Sequence, residues 1–267
     1  MRIICLVKFV PDVDSFVYDY ESNVLVREKA KMIINPDDAC ALAFALALKA
    51  SRSNVFIEVV TMGPRSVQPL MKDLLRRHVD RGTLITDKAF VGSDTYVTAT
   101  ILGRYLEKAE YDFILTGTNA LDGDTAHVPL EVAEYLQLPQ INGITRFNEN
   151  SSFEESAEFE VAYDNVISTF EMDLPAVLSV SRVSIYKLPF VRFHDLNMDV
   201  DDRLNIVTNE ELQFLSHEVG LRGSPTKVAK TFTKALEAKE TKFVETDDEG
   251  IEIVYQFLNT KGFVQDE

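Results

Sequence analysis

The chain has 267 residues, of which 46% are hydrophobic, so it is long enough to bury a substantial core in one large domain with an appendage. Its formal charge of −16, from 43 acidic against 27 basic side chains, would repel phosphate backbones and anionic membrane surfaces, which argues against nucleic acid as a partner. No apolar run approaches the roughly 20 residues that cross a bilayer, which argues against membrane insertion.

The first predicted element is a strand over residues 3–10, where apolar and β-branched side chains follow one another with little alternation. Such a run is typical of a parallel strand that is covered on both faces, and it predicts a first strand and not a signal peptide. Short alternating segments over residues 16–27 then predict a hairpin inserted after this strand.

The clearest helix start in the sequence is INPDD. Asn35 is suited to the N-cap, Pro36 to the first helical position, and Asp37 and Asp38 to the first turn, where carboxylates favour the helix dipole. A long Ala/Leu stretch follows, so the pattern predicts a buried core helix.

Two cysteines, Cys5 in the predicted strand and Cys40 in the predicted helix, have no CxxC spacing and no histidine close in sequence. They are expected to be buried free thiols in a reducing compartment, which predicts a cytoplasmic location.

Three more strands, each followed by a helix, are predicted up to residue 140. This alternation predicts an α/β protein with an open parallel sheet and helices on both faces. The strands cover residues 55–61, 84–86 and 112–116, and the helices cover residues 67–78, 95–106 and a stretch that ends near 136.

The pattern changes to consecutive strands after residue 144, which predicts a β meander that extends or covers one sheet edge. After Arg182 few stretches could form a core, so this tail is expected to pack on something else. The predicted organisation is a nucleotide-binding α/β domain over residues 1–183, with edge strands from about 144, and a recognition loop and C-terminal arm over residues 184–267.

Glycine-containing loops follow predicted strands or precede predicted helices at three places, residues 62–64, 92–95 and 117–125. In an open α/β sheet these loops lie at the carboxyl ends of strands, where ligands bind, and helix N-termini there offer unpaired N–H groups to phosphates. The inferred ligand is a nucleotide. Hydroxyl donors suited to phosphate oxygens come from Ser93, Thr95 and Thr125.

No motif for ordinary dehydrogenase, P-loop or hydrolase chemistry is present, because GxGxxG, GxxxxGK[ST], GxSxG and HExxH are all missing. Neither a catalytic constellation nor a metal-ligand cluster is predicted. Asp122 and Asp124 could form an acid/base pair of a hydrolase, but acceptance of ribose hydroxyls or helix capping is the better interpretation. Of the four histidines, only His127 lies beside a predicted ligand loop, and a surface or capping role is favoured for it.

Taken in order, the motifs LVKFVPD, INPDD, TMGP, FVGSDT, DGDTAHV, DLPAVLSV and VGLRGSPTKV resemble electron transfer flavoprotein beta subunits over nearly the whole chain. The resemblance implies a Rossmann-like fold, similar to that of the adenine-nucleotide hydrolases. It also implies a heterodimer with a larger, flavin-carrying alpha subunit, on which the C-terminal arm docks. Such a subunit carries electrons, and its cofactor does the chemistry.

FVGSDT and DGDTA resemble the FAD-binding branch of the family, in which electrons from NADH are divided between two acceptors by flavin-based bifurcation. The resemblance implies that FAD binds between the loops named above. The implied cofactor-binding residues are Val7, Lys8, Asn35, Met62, Gly63, Gly92, Ser93, Asp94, Thr95, Gly117, Asn119, Asp122, Gly123, Asp124, Thr125 and Ala126.

The family's partner-recognition loop corresponds to residues 181–191. By resemblance, Leu188 is the anchor that enters a pocket on an acyl-CoA dehydrogenase-type flavoenzyme, to which the alpha-subunit FAD passes electrons.

Two alternatives stay open. The family also contains beta subunits that hold AMP as a structural element, and Thr118 is compatible with this because the family usually shows a basic residue there. From another class, an adenine-nucleotide-binding regulatory module of the universal-stress type has a similar sheet and glycine loops, but it has no place for the strands after residue 140.

Overall fold

A nine-stranded, mostly parallel sheet forms the centre of the protein, in the strand order β11-β10-β9-β12-β8-β1-β6-β7-β13. The computed structural model describes residues 1–12, 17–19, 24–26, 31–164, 166–227 and 243–264. The predicted α/β class with an open, mostly parallel sheet is confirmed. The sheet strands are β1 (Arg2–Leu6), β6 (Phe56–Met62), β7 (Arg81–Ile85), β8 (Phe113–Gly117), β9 (Gln140–Phe147), β10 (Ser156–Tyr163), β11 (Val166–Asp173), β12 (Val177–Val180) and β13 (Leu204–Val207).

Helices cover both faces of this sheet, as the alternation of strands and helices predicts. Ile3 and Cys5 of β1 belong to one buried cluster, whereas Ile4 and Leu6 belong to the other, because successive side chains of a strand point to opposite faces. The first cluster includes α1 (Pro36–Ser51) and α2 (Gln68–Leu75), and the second includes α3 (Thr95–Leu106), α4 (His127–Leu136) and the single turn α5 (Asn209–Leu212).

The predicted strand over residues 3–10 is two strands in the structure, and this prediction was wrong. β1 ends at Leu6, and β2 (Phe9–Pro11) pairs instead with β5 (Met32–Ile34) in a separate antiparallel ribbon. The predicted hairpin is confirmed in its backbone pairing, because β3 (Val17–Asp19) and β4 (Val24–Val26) are antiparallel. Its expected turn lies outside the described residues.

The strands after residue 140 do not form a simple meander. β9, β10 and β11 are antiparallel neighbours, but β12 returns to the parallel sheet and lies between β9 and β8. Aromatic rings pack beneath this extension, and Phe44 of α1 stacks on Phe147 of β9 with ring centroids 3.8 Å apart. The antiparallel strands therefore share the core of α1, with Phe153, Phe159 and Tyr186 completing the cluster.

The chain divides into two compact units, residues 1–227 and 228–267. The first unit extends beyond the expected division at residues 183 and 184, because β13 pairs in parallel with β7 at the sheet edge and the turn α6 (Gly220–Gly223) packs beside residues 88–90. The described part of the second unit contains α7 (Asp248–Thr260), which Asp247 caps by accepting the N–H of Gly250. Across the described ranges, none of the helices has the length and apolar character needed to cross a membrane.

Replacement of Phe147 by Ala should lower the free energy of unfolding by about 3–5 kcal/mol, because a buried ring in contact with four other aromatic side chains would leave a cavity. Chemical denaturation measures this change. Phe190→Ala is the matched control, since that ring is 91% exposed and its loss should change the free energy by less than about 0.5 kcal/mol. Equal effects of the two substitutions would contradict the assigned core.

Candidate functional site

A cleft of about 380 Å³ lies at the carboxyl edge of the parallel sheet. The ends of β1, β6 and β8 contribute loops to it, and α3 and α4 begin at its rim. Ligands of open α/β sheets bind at this edge, because the loops diverge there and helix N-termini point inward. Apolar side chains line part of its wall, namely Leu6, Val7, Val60, Met62 and Leu102.

Asn35 joins α1 to the loop that follows β8. It occupies the N-cap position of α1, but its side chain makes no cap hydrogen bond, in contrast to the sequence prediction. Instead its Nδ2 donates to the carbonyl of Asn119 at 2.6 Å, and its Oδ1 accepts the N–H of Leu121 at 3.2 Å. Asn35 therefore fixes the path of the chain from Asn119 to Leu121.

Asp37 and Asp38 hold the neighbouring loops in the same way. Asp37 accepts the backbone N–H groups of Asn119 and Arg182, which follow β8 and β12. Asp38 accepts the N–H of Lys8 at 2.7 Å, after β1, and that of Gly117 at 2.9 Å, at the end of β8. We call Asn35, Asp37 and Asp38 the loop clamp, because one helix start thereby fixes the loops after β1, β8 and β12, of which the first two line the cleft.

Both clamp carboxylates are buried, and this changes their acidity. Burial raises the pKa of Asp38 to about 7, although the hydrogen bonds from Lys8, Asn35 and Gly117 favour its ionised form. Burial also raises the pKa of Asp37, against the opposing hydrogen bonds from Arg182 and Asn119. The two carboxylates of the clamp therefore cost free energy to bury, and the hydrogen bonds from backbone N–H groups offset that cost.

Glycine is the one residue type that fits at position 117, where β8 meets the clamp. A Cβ at this position would lie 2.6 Å from the backbone nitrogen of Asp38 and would also collide with its Oδ1. Real Cβ contacts are longer than this, so any side chain would push β8 and α1 apart. Gly117 therefore lies between the cleft, which it lines, and the start of α1.

The loop from Thr118 to Ala126 forms one wall of the cleft. Two of its residues have left-handed backbone conformations, Asp124 with φ of 48° and Ala126 with φ of 54°, and α4 begins directly afterwards. The Oγ1 of Thr118 and the Oδ1 of Asn119 are buried without a hydrogen-bond partner among the described residues. Unpaired buried oxygens are costly, so these two atoms indicate where a polar ligand would be accepted.

The start of α3 is held by residues from much later in the chain. Asp94 caps the helix by accepting the N–H of Val97, and its other oxygen accepts both the N–H and the hydroxyl of Thr226. The Ser224 hydroxyl accepts the N–H of Asp94. Burial would raise the pKa of Asp94, but the hydrogen bonds from Thr226 and Val97 outweigh it and hold the pKa below its usual value.

Most of the residues predicted to bind a cofactor line this one cleft. The exceptions are Gly63, which follows the cleft residue Met62, Gly92, which has φ of 81° and faces Leu221, and Asp122, which contacts the cleft through Lys8. The predicted residues in the cleft are Val7, Lys8, Asn35, Met62, Ser93, Asp94, Thr95, Gly117, Asn119, Gly123, Asp124, Thr125 and Ala126.

Sequence reasoning missed the cleft residues whose importance depends on distant contacts. Asp38 was assigned only to the helix dipole, and the apolar wall residues Val60 and Leu102 were assigned only to strands and helices. His127 lines the cleft at the start of α4, where its exposed side chain leaves both a surface and a ligand role open. The GSPT motif was the one signal that could have pointed to Ser224 and Thr226.

The predicted recognition loop covers residues 181–191, and we call this loop together with the following residues up to 198 the recognition segment. Leu188, the predicted anchor, is half-buried against the protein's own core, whereas Phe190 and Phe193 are each 91% exposed. The segment is held to the end of α2, since Arg77 donates to the carbonyl of Pro189 and Arg76 to that of Met198. Its most exposed apolar side chains are therefore the two phenylalanines.

An adenine or flavin nucleotide fits the chemistry of the cleft. Apolar wall residues suit an aromatic ring, while the starts of α3 and α4 and the unpaired oxygens of Thr118 and Asn119 suit phosphate and hydroxyl groups. Within the described part of the chain, no group of three or more His, Cys, Asp or Glu residues is arranged to hold a metal ion.

Comparison with known proteins gives consistent matches. The family model "electron transfer flavoprotein domain" matches residues 22–190. The electron transfer flavoprotein subunit beta of Thermoanaerobacterium thermosaccharolyticum is 31% identical over 98% of this chain and 99% of its own. The caffeyl-CoA reductase-Etf complex subunit CarD of Acetobacterium woodii is 31% identical over 87% and 88%, and the FixA protein of Azotobacter vinelandii is 27% identical over 93% and 89%.

Asp38 should make the stability of the protein depend on pH. Because its pKa in the folded state lies above that in the unfolded chain, the folded state binds the proton more tightly, and this contribution is lost as the pH rises from about 4 to about 7. Asp38→Asn cannot ionise, so its free energy of unfolding should fall less over this range than that of the wild type.

Denaturant titrations of both proteins at pH 5 and pH 8 measure this difference. Asp112→Asn, which removes an exposed carboxylate at the opposite edge of the sheet, is the control. Parallel pH dependences of the wild type and Asp38→Asn would contradict the assignment.

Proposed function

The chain belongs to the electron transfer flavoprotein beta-subunit family, and from that membership we propose that it binds FAD in the cleft and relays electrons within a heterodimer. In this proposal the FAD of the beta subunit accepts electrons from NADH and passes them to the FAD of the larger alpha subunit. The alpha subunit in turn serves an acyl-CoA dehydrogenase-type flavoenzyme. Division of the two electrons between separate acceptors, flavin-based bifurcation, is part of the proposal.

The observation that carries the FAD proposal is the composition of the cleft. One wall is apolar, two helix N-termini open onto the rim, and two buried oxygens on residues 118 and 119 have no protein partner. A dinucleotide needs all three features, because it has flat rings, a diphosphate and ribose hydroxyl groups.

Individual residues have separate roles in this proposal. Val7 and Met62 would pack against a ring, Ser93 and Thr95 at the start of α3 would bind phosphate oxygens, and the loop from Thr118 to Ala126 would contact ribose and diphosphate. When bound, FAD supplies the electron-transfer chemistry, while the protein sets its position and excludes water. The loop clamp keeps these groups in a fixed arrangement before the cofactor arrives.

AMP is the second candidate for the same cleft. Lys8 is the one lysine or arginine among the described residues that line it, and position 118 carries a threonine. A single cation favours a ligand with a single phosphate, in which case the chain would be a structural partner and the alpha-subunit FAD alone would carry electrons.

Relatives support the assignment of partners. One is named as a subunit of a caffeyl-CoA reductase-Etf complex and another as an acryloyl-CoA reductase electron transfer subunit, so both are associated with reduction of acyl-CoA compounds. The exposed apolar stripe of α7, which contains Ile251, Val254 and Phe257, is consistent with an arm that docks on the alpha subunit. The buried free thiols Cys5 and Cys40 are consistent with a cytoplasmic location.

For the acyl-CoA dehydrogenase-type partner, we assign the contact to Phe190 and Phe193 in addition to Leu188. Both phenylalanines are 91% exposed and lie close to the predicted anchor in sequence, and aromatic side chains are enriched at protein–protein interfaces. Leu188 would then shape the recognition segment from beneath.

Cofactor analysis of the chain co-expressed with its alpha subunit tests the main proposal. Visible absorption and nucleotide analysis after denaturation should find two FAD per heterodimer, since each subunit would hold one. One FAD with one AMP would overturn the FAD proposal and support the structural alternative.

Replacement of Phe193 by Ser should lower kcat/KM for electron transfer to the dehydrogenase partner roughly tenfold, because an aromatic hot spot would be lost. Cofactor content and thermal stability should stay unchanged. Leu215→Ser, which alters a 60% exposed side chain outside the recognition segment, is the control. An unaltered rate in the Phe190→Ser, Phe193→Ser double variant would exclude this surface.

A further inference from the structure

The cleft contains more negative than positive charge, although its proposed ligand is an anion. Lys8 is the one lysine or arginine among the described cleft residues, whereas Asp38, Asp94 and Asp124 all line the same cavity. Any phosphate that enters must therefore rely on backbone dipoles and on this one ammonium group.

Lys8 already has an anionic partner. Its Nζ lies 2.6 Å from Oδ1 of Asp122, and the side chains of Lys8 and Asp122 are 48% and 37% exposed. An ion pair this open to water contributes little to stability, because solvent screens it. Lys8 can therefore exchange Asp122 for a more strongly charged anion at a small cost in free energy.

The backbone of Lys8 is fixed while its ammonium group is not. Its N–H donates to Oδ2 of Asp38 in the loop clamp, and its carbonyl accepts the N–H of Asn35 at 2.8 Å. Two of the cleft carboxylates already have other partners. Asp38 accepts two backbone N–H groups and Asp94 accepts the N–H of Thr226, so neither competes for the ammonium group of Lys8. Lys8 can therefore change partner by side-chain motion alone.

We propose that Lys8 selects for phosphate in this cleft and that Asp122 stands in for the phosphate until a nucleotide binds. On binding, the ammonium group leaves Asp122 for a phosphate oxygen, whereas the clamp contacts to Asn119 and Leu121 stay in place. This inference rests on the proposed nucleotide-binding function. It makes the affinity of the cleft depend on the charge of the ligand, whereas the apolar wall holds its ring.

Titration calorimetry of the full-length chain with adenosine and with ADP tests the exchange. Lys8→Met keeps the aliphatic stem and removes the charge, so it should weaken ADP binding roughly tenfold, as expected for the loss of one charge-assisted hydrogen bond. Adenosine binding should change less than about twofold. The salt dependence of ADP binding should also become shallower, because one phosphate contact is lost.

Asp122→Asn should change the affinity for ADP in the opposite direction to Lys8→Met, which a purely structural role of the ion pair would not predict. Removal of the competing carboxylate should strengthen ADP binding by roughly threefold and leave adenosine binding unchanged. Lys72→Met and Asp201→Asn are matched controls, since Lys72 and Asp201 also form an ion pair at 2.6 Å but neither residue lines the cleft. Both should bind both ligands as the wild type does.

Three outcomes would overturn the exchange. Equal loss of adenosine and ADP affinity in Lys8→Met would show a structural role, and weaker adenosine binding in Asp122→Asn would show that Asp122 accepts a ribose hydroxyl. Matching effects in the Lys72 and Asp201 controls would show a general charge effect. Failure of the wild type to bind either ligand is a separate result, because it removes the nucleotide-binding function itself together with the exchange.

Discussion

The structure of the cleft depends on the burial of three polar side chains at the start of α1, namely Asn35, Asp37 and Asp38. Parallel strands end in loops that have no ladder partners, so their backbone N–H groups need acceptors from elsewhere. The clamp residues Asn35, Asp37 and Asp38 supply these acceptors to the loops after β1, β8 and β12. Burial of two carboxylates is costly, and it persists because each carboxylate accepts two backbone N–H groups.

The clamp also couples the position of the sheet strands to the shape of the cleft. Gly117 brings β8 against the backbone of Asp38, so the strand, the helix and the loop beyond it meet at one point without intervening side chains. On the other side of the sheet, Asp94 ties the start of α3 to Thr226, more than a hundred residues later. The starts of α1 and α3 are therefore both positioned by contacts within the first unit.

The sequence predicted correctly the features that depend on residues close together in the chain, and it missed those that depend on contacts between distant residues. Periodicity and capping located α1, α3 and α4, because these signals depend on residues close together in sequence. The division of residues 3–10 into β1 and β2 was missed because β2 is specified by its pairing with β5. The roles of Asp37 and Asp38 were missed for the same reason, since their acceptor contacts to Arg182 and Gly117 are 145 and 79 residues away.

A cleft with a single lysine needs a fixed backbone geometry as well as charge to hold an anion. The chain carries a net charge of −16, and neighbouring carboxylates can neutralise a cation such as Lys8, as Asp122 does. At the start of α3 the carboxylate of Asp94 already accepts the N–H of Val97, whereas the start of α4 has no side-chain cap. Backbone N–H groups at a helix start carry a dipole that is present at every pH. They act only on an anion that reaches the helix start, so their usefulness depends on loops that do not move. The buried acids of the clamp therefore matter for binding although Asp37 and the ligand need never be in contact.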